Sequence, residues 1–346
     1  MNIDFSMIWF AIIIFATLMY IIADGFDLGI GIILPFTRDK IQRDTMINSV
    51  APVWDGNETW LVLGGAALYG AFPLAYAVII DALTIPLTLM LIGLIFRGVA
   101  FEFRVNALPK HRLFWDSAFI GGSFLATFCQ GITVGAVING FNVTERHFSG
   151  SALDWLTPFP IFCGFALLVT YALLGSSWLI MKTEHQLHRK MCTITVYLAI
   201  TLLVVIAIVS LWTPLTHADI AQRWFSLPNL YFLLPVPLLV LACAWGIVRS
   251  AYNYGHYQPF LLSLLLVLIG FAGLGISIFP YIIPPSISIW QAAAPVLSQK
   301  FMLVGAVIII PVILAYTSWS YYVFRGKVNA NESYHYSFFN NKTNEK

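Results

Sequence analysis

The chain has 346 residues, of which 59% are hydrophobic and only 10% are charged. A soluble domain carries roughly 25% charged residues, so the composition excludes an ordinary water-soluble globular protein. The formal net charge is only +2, and the basic residues are scattered along the sequence. They form no patch of the kind that binds nucleic acid. We therefore expect lipid and partner helices, and no nucleic acid, to surround most side chains.

Apolar runs long enough to cross the hydrocarbon layer, which takes about 20 residues, recur from one end of the chain to the other. The sequence predicts an all-α, polytopic membrane protein with about nine transmembrane helices. The predicted ranges are 6–34, 52–71, 74–102, 115–140, 158–181, 191–213, 229–249, 258–281 and 301–324. Residues 1–326 are expected to form a single transmembrane domain, and residues 327–346 a loosely ordered cytoplasmic tail.

The distribution of basic residues predicts the orientation of these helices. With nine spans and the N-terminus outside, 15 of the 18 Lys and Arg residues fall on the cytoplasmic side, as the positive-inside rule requires. Only Arg146, Arg223 and Lys300 lie outside. Merging the second and third runs, which only Pro73 separates, would scramble this alternation. We therefore expect a periplasmic N-terminus and a cytoplasmic C-terminus.

Acidic residues inside the apolar runs are informative, because a charge in the bilayer costs a few kcal/mol. Asp24 and Asp27 lie three residues apart in the first helix and share one helical face. Asp55 and Glu58 have the same spacing at the start of the second helix. The predicted topology places both pairs in the cytoplasmic leaflet. Asp81, a lone acid nearer the outer half of the third helix, is expected to be a satisfied interior or interface residue.

Three charged residues at the cytoplasmic end of the third helix, Arg97, Glu102 and Arg104, share that leaflet. We assign them as structural charge partners. Carboxylates beside arginines stay ionised, whereas desolvated carboxylates without a partner exchange protons near neutral pH. Two interpretations of the acidic pairs stay open. They form a cytoplasmic path for protons, or they are helix caps and ion pairs that fix the packing of three helices.

Side chains that could ligate a haem are sparse. The seven histidines lie in loops, in the tail or at helix ends, and the mid-helix methionines are Met19 and Met90. A buried haem needs such ligands within the helices, so the chain alone is a poor candidate for a cytochrome. The four cysteines lie in or beside apolar runs without metal-ligand spacing. We expect them to be small core residues, and we expect no metal site.

Five segments, in this order, resemble the signature stretches of subunit II of cytochrome bd-type ubiquinol oxidases. They are ADGFDLG (23–29), MINSVAP (46–52), WDGNETWL (54–61), FRGVAFEFR (96–104) and the stretch from PPS to Trp290 (284–290). The resemblance extends over most of the chain. One departure is Gln291, where many members have an acid, and together with the alanines that follow it this feature resembles the cyanide-insensitive branch. Any role for an acid at position 291 is therefore excluded.

The resemblance implies a respiratory quinol oxidase of the bacterial inner membrane, in which a larger subunit I binds haem b and haem d, oxidises quinol and reduces dioxygen to water. This chain would be a non-haem scaffold with no catalytic residue of its own, and small single-helix subunits would be further partners. In the family, the acids that match Asp24, Asp27 and Asp55 are associated with proton access, and Glu58 is a weaker neighbour. Some members bind a structural quinone in this subunit.

Two other functions stay open. A proton-coupled secondary transporter would have charged residues near the midplane in both halves of the chain, whereas the acids cluster in the first third. A purely structural membrane partner would differ from the oxidase subunit only in that Asp24, Asp27 and Asp55 need not exchange protons.

Overall fold

Nine long helices dominate the computed structural model, which describes residues 3–108 and 110–328. In chain order, the helices are α1 (Phe5–Ile33), α2 (Lys40–Asn48), α3 (Trp54–Ala71), α4 (Pro73–Asn106), α5 (Arg112–Asn139), α6 (Pro158–Lys182), α7 (His185–Thr216), α8 (Ala218–Phe225), α9 (Asn229–Leu233), α10 (Pro235–Tyr252), α11 (Gln258–Ile278), α12 (Ile289–Ala292) and α13 (Val296–Val323). Two small antiparallel hairpins, β1 (Val143–Thr144) with β2 (His147–Phe148) and β3 (Tyr281–Ile283) with β4 (Ile287–Ser288), lie in loops. The all-α prediction is confirmed.

Eight helices are long and apolar enough to cross a membrane, judged by length and composition over the described residues. The predicted second span, α3, is not among them, because Asp55, Asn57 and Glu58 lie in its first turns. It nevertheless packs against α1, α4 and α13. Phe72 leaves the helical conformation at the predicted break before α4. Eight of the nine predicted spans are thus confirmed, and the periplasmic N-terminus stays a prediction.

Several helix boundaries differ from the predictions because polar residues lie inside helical turns. Helix α7 begins six residues earlier than predicted, and its first turns bury Leu187 and His188. Helix α13 begins at Val296, before the polar residue Gln299, which is buried and donates from Nε2 to the carbonyl oxygen of Ala294 at 2.7 Å. The short helix α2 was not predicted, because it has no long apolar run. Hydropathy alone therefore places the spans but not their ends.

The centre of the bundle depends on a close approach of α1 and α6. A Cβ atom on Gly29 would overlap the carbonyl oxygen of Tyr171, and one on Gly175 would lie 2.5 Å from the carbonyl carbon of Gly29. The backbones of α1 and α6 can approach this closely because each helix has a glycine at the contact. Helix α5 packs along α4, α6 and α1, so α1 is enclosed on several sides. The second half of α1, from Ala23 to Ile33, is continuously buried.

The segment after α11 forms an ordered hairpin. Strands β3 and β4 pair, and Ile283 of β3 and Ile289 at the start of α12 are fully buried. Trp290 Nε1 donates to Asp4 Oδ2 at 2.8 Å. This bond, together with the backbone N–H groups of Met7 and Ser6, lowers the pKa of Asp4. The hairpin is thereby tied to the N-terminal cap of α1.

The predicted tail starts at Lys327, and its first two residues are bound to the rest of the protein. Lys327 Nζ donates to Glu184 Oε1 at 2.8 Å, and the backbone N–H of Val328 donates to the carbonyl oxygen of Lys182 at 3.0 Å. The rest of the predicted tail, 329–346, lies outside the described residues.

The glycine contact gives a direct test of the packing. We expect Gly29→Ala to destabilise the protein by about 1–3 kcal/mol, the usual cost of overpacking, because the backbone of α6 has to move. Gly270→Ala in α11 is the matched control, since no atom lies within 4 Å of the added Cβ; it should be neutral or slightly stabilising. Thermal unfolding of the detergent-purified protein measures both. Equal midpoints for the two variants would contradict the assigned contact.

Candidate functional site

Arg97 of α4 is fully buried, and two acids from other helices balance its charge. Its Nη1 donates to Asp24 Oδ1 of α1 at 2.7 Å, and its Nη2 lies 3.5 Å from Glu58 Oε1 of α3. The Arg97 and Asp24 side chains are 0% exposed, whereas that of Glu58 is 24% exposed. Asp24 therefore holds the guanidinium on its inner side, and Glu58 faces it from the edge of the bundle.

Trp54 of α3 supports the guanidinium from a third direction. The centre of the guanidinium lies 5.7 Å from the centroid of the Trp54 ring, within the range of a cation–π interaction. The indole also stacks on Phe101, with centroids 5.2 Å apart. A Cβ on Gly98 would lie only 3.2 Å from Trp54. The glycine in the FRGVAFEFR segment therefore leaves room for the indole beside the arginine.

Asp27, one turn beyond Asp24, is held by an amide. Asn57 Nδ2 donates to Asp27 Oδ2 at 2.7 Å and to the carbonyl oxygen of Ala23 at 3.2 Å. Tyr321 of α13 donates from its hydroxyl to Asn57 Oδ1 at 2.8 Å. Asp27 and Asn57 are 0% exposed. Asp24, Asp27, Asn57, Glu58 and Arg97 thus form one group, here named the buried acid cluster.

Each fully buried acid keeps one carboxyl oxygen without a hydrogen bond. Within the part of the chain that the structure describes, Asp24 Oδ2 and Asp27 Oδ1 have no partner. Such an atom costs about 1–3 kcal/mol when it is left unsatisfied, and most buried polar atoms are satisfied. The two free oxygens are positions where a proton can be accepted. The cluster can therefore hold a proton as well as an ion pair.

The structure separates the remaining predicted site residues from this cluster. Asp55 lies on the surface of α3, one turn before Glu58, and Glu102 lies on the surface of α4. Arg104 is buried but does not reach the cluster. Asp81 is exposed on α4, so it is not an interior acid in this chain.

Arg104 belongs to a second charge cluster that the sequence did not predict. Its Nε donates to Asp116 Oδ1 at 2.5 Å, and its Nη2 donates to Asp44 Oδ1 at 2.6 Å. Arg43 Nη2 lies 3.3 Å from Asp116 Oδ2. These four residues join α2, α4 and α5. Asp44 lies on α2, a helix that was itself not predicted, so its role could not be found from apolar runs.

Sequence reasoning also missed the neutral members of the site. Asn57 lies inside the WDGNETWL segment beside Glu58, but its amide gave no signal that set it apart. Tyr321 is distant in sequence, and only the fold brings it to Asn57. Tyr20 accepts a hydrogen bond from Gln130 Nε2 at 2.6 Å, and both are buried. The one sequence signal for this contact was that Gln130 is a polar residue among apolar neighbours in α5.

The buried histidine of the described residues has a polar neighbour at each ring nitrogen. His188 is the one buried histidine among the described residues. Its Nδ1 lies 3.0 Å from the carbonyl oxygen of Ile180, and its Nε2 lies 3.6 Å from Cys192 Sγ. Both ring nitrogens are occupied, so neither is free for iron. Met90 packs in the apolar core.

The ion pair gives a test that separates charge balance from simple packing. Removing one partner of a buried pair costs about 3–5 kcal/mol, because it leaves an uncompensated charge. We expect Asp24→Asn to lower the thermal midpoint and the yield of folded protein. The double variant Asp24→Asn with Arg97→Met should recover part of this loss, since no buried cation remains. A double variant as unstable as the sum of the two single variants would contradict the assigned pair.

Comparison with known proteins gives concordant results. The family model for cytochrome bd terminal oxidase subunit II matches residues 5–324. The sequence is 29% identical to the probable cytochrome oxidase subunit 2 of Haemophilus influenzae, over 94% of this chain and 95% of that protein. It is 27% identical to the cytochrome bd-I ubiquinol oxidase subunit 2 of Escherichia coli, again over 94% of this chain and 95% of that protein. It is 26% identical to the cytochrome bd ubiquinol oxidase subunit 2 of Bacillus subtilis, over 94% of this chain and 97% of that protein.

The fold agrees with these sequence matches. A chain of the bd oxidase from Geobacillus thermodenitrificans superposes with a TM-score of 0.71 at 12% sequence identity, covering 93% of this chain and 98% of that chain. The eight apolar helices agree with a multi-pass protein of the bacterial inner membrane. The protein is therefore a member of the cytochrome bd terminal oxidase subunit II family.

Proposed function

We propose that this chain is the non-haem second subunit of a quinol oxidase and that it conducts protons from the cytoplasm for the reduction of dioxygen to water. Relatives named as ubiquinol oxidase subunits support a place in such a complex. The haem groups and the quinol-oxidising site belong to the larger subunit. The haems supply the electron-transfer and oxygen chemistry there. The side chains of this subunit hold and move protons.

The proposed proton role is based on one observation. The solvent exposure of four acids decreases from the protein surface to the centre of the bundle. Asp55 is exposed, Glu58 is partly buried, and Asp24 and Asp27 are fully buried. Asp55 and Glu58 are three residues apart and share one face of α3. Arg97 joins Glu58 to Asp24. The four acids therefore lead from the protein surface to the centre of the bundle through charged and polar groups.

Each acid has a distinct part in this proposal. Asp55 collects protons at the surface, and Glu58 passes them inward because it can turn between solvent and Arg97. Arg97 stabilises the ionised carboxylate that remains when a proton leaves, so the acid is ready to accept the next proton. Asp27, bound by an amide instead of a cation, is the group whose charge is least compensated. Its free Oδ1 is where we place the innermost proton.

Asp55→Asn tests the start of this path. We expect quinol-driven oxygen consumption to fall about tenfold or more, which corresponds to about 1.4 kcal/mol in the activation barrier, while the haem spectrum stays unchanged. Asp55→Glu should retain most of the activity, because it keeps a carboxyl group at the surface. Asp81→Asn is the matched control, since it removes another exposed acid outside the path. Full activity of an assembled Asp55→Asn complex would contradict the proposal.

Purification tests the complex itself. The chain, extracted from its native membrane in a mild detergent, should bring a larger polypeptide with it. The reduced-minus-oxidised optical spectrum should contain haem b and haem d bands, because the larger subunit of the proposed complex carries these haems. A colourless preparation of this chain alone, under conditions that keep membrane complexes intact, would contradict the assignment.

A further inference from the structure

An open pocket of about 520 Å³ lies between the end of α1 and the first turns of α7, apart from both charge clusters. The residues around it come from the turn and loop after α1, from the first turn of α2 and from α7. They are Phe36, Arg38, Asp39, Gln42, Gln186 and Lys190. The pocket lies at the end of two membrane-spanning helices, which is the level of the lipid headgroups if these helices span the bilayer.

The two cations of the pocket differ from the arginines of the two charge clusters. Arg43, Arg97 and Arg104 each lie within 4 Å of a carboxylate. Arg38 and Lys190 take part in none of the ion pairs of the described residues. Lys190 Nζ donates only to a neutral group, Thr37 Oγ1, at 3.2 Å. Two positive charges therefore face one pocket without an ion-paired anion.

The one acid of the pocket does not cancel this charge. Asp39 Oδ1 accepts a hydrogen bond from the backbone N–H of Gln42 at 2.8 Å and so caps α2. Two cations then face a single carboxylate that already serves as a helix cap. The amide groups of Gln42 and Gln186 add neutral donors. The chemistry of the lining therefore favours an oxyanion with several acceptor oxygens, such as a phosphate group.

Phe36 gives the pocket an apolar side. It ends the short 3-10 turn that follows α1, and its side chain is 68% exposed. An apolar ring beside a pair of cations matches a phosphate that is attached to a glycerol backbone and acyl chains. Such apolar contact would contribute no binding free energy to a free phosphate ion.

We propose that this pocket binds the phosphate group of an anionic phospholipid from the cytoplasmic leaflet. Arg38 and Lys190 bind the phosphate oxygens, the two glutamine amides complete the hydrogen bonds, and Phe36 packs against the glycerol and the first methylene groups. Basic pockets between transmembrane helices on this side of the membrane are suited to such headgroups. The bound lipid would join α1, α2 and α7 at the membrane surface. This inference does not depend on the proton role proposed above.

Native mass spectrometry of the purified complex, reconstituted with phosphatidylcholine and phosphatidylglycerol, tests the site. We expect the variant Arg38→Gln with Lys190→Gln to retain at least about tenfold less phosphatidylglycerol than the parent, a difference of about 1.4 kcal/mol. Arg189→Gln is the matched control, because it removes an exposed charge from the same turn of α7 but does not line the pocket. Equal retention by the double variant and the parent would overturn the proposal.

A variant that is expected to increase lipid retention tests whether misfolding explains the loss of lipid in the double variant. Asp39→Asn keeps a side chain that caps helices well and removes the only negative charge of the pocket, so retention of phosphatidylglycerol should increase. Unchanged or lower retention in a complex with a normal haem spectrum would count against the site. Inorganic phosphate is the second probe. We expect it to compete only weakly with the lipid, and competition as strong as that of phosphatidylglycerol would overturn the lipid assignment.

Discussion

A guanidinium buried among membrane helices is the constraint on which this arrangement depends. Arg97 is 0% exposed, and a buried cation without an anion is too costly to keep. Asp24 and Glu58 supply the anions from α1 and α3, so the buried charge ties these two helices to α4. The glycine contact between α1 and α6 brings a fourth helix to the same centre. Asn57 extends the polar network to α13 through Tyr321.

Much of this architecture was predictable, because two physical signals in the sequence are strong. Apolar runs of bilayer length located the helices, and the cost of a buried charge singled out Asp24 and Asp27. The partners of the charges were not predictable, since they depend on contacts between distant residues. Nothing near Arg104 indicates that it binds Asp44 and Asp116 instead of the acids of α1. The wide spacing between Asn57 and Tyr321 likewise hides their hydrogen bond.

The arrangement accounts for both uses of a buried acid. As an ion pair, Asp24 with Arg97 fixes the packing of α1 against α4. As the proposed proton site, Asp27 is better suited than Asp24, because its hydrogen-bond donor is a neutral amide and not a cation. The ion pair and the proposed proton site therefore involve neighbouring residues of one cluster, and the two roles do not exclude each other. The lipid pocket at the end of α1 would hold the same helix in place at the membrane surface.

The central claim is that protons for dioxygen reduction pass through this subunit, and the most direct measurement is proton uptake during a single turnover. The fully reduced complex would be mixed with oxygen in the presence of a pH-sensitive dye, while the haem absorbance is followed in parallel. For Glu58→Gln we expect proton uptake to slow about tenfold or more, which is a change of about 1.4 kcal/mol in the barrier, with normal haem content and normal initial electron transfer. Proton uptake at the parent rate in the assembled variant would contradict the account.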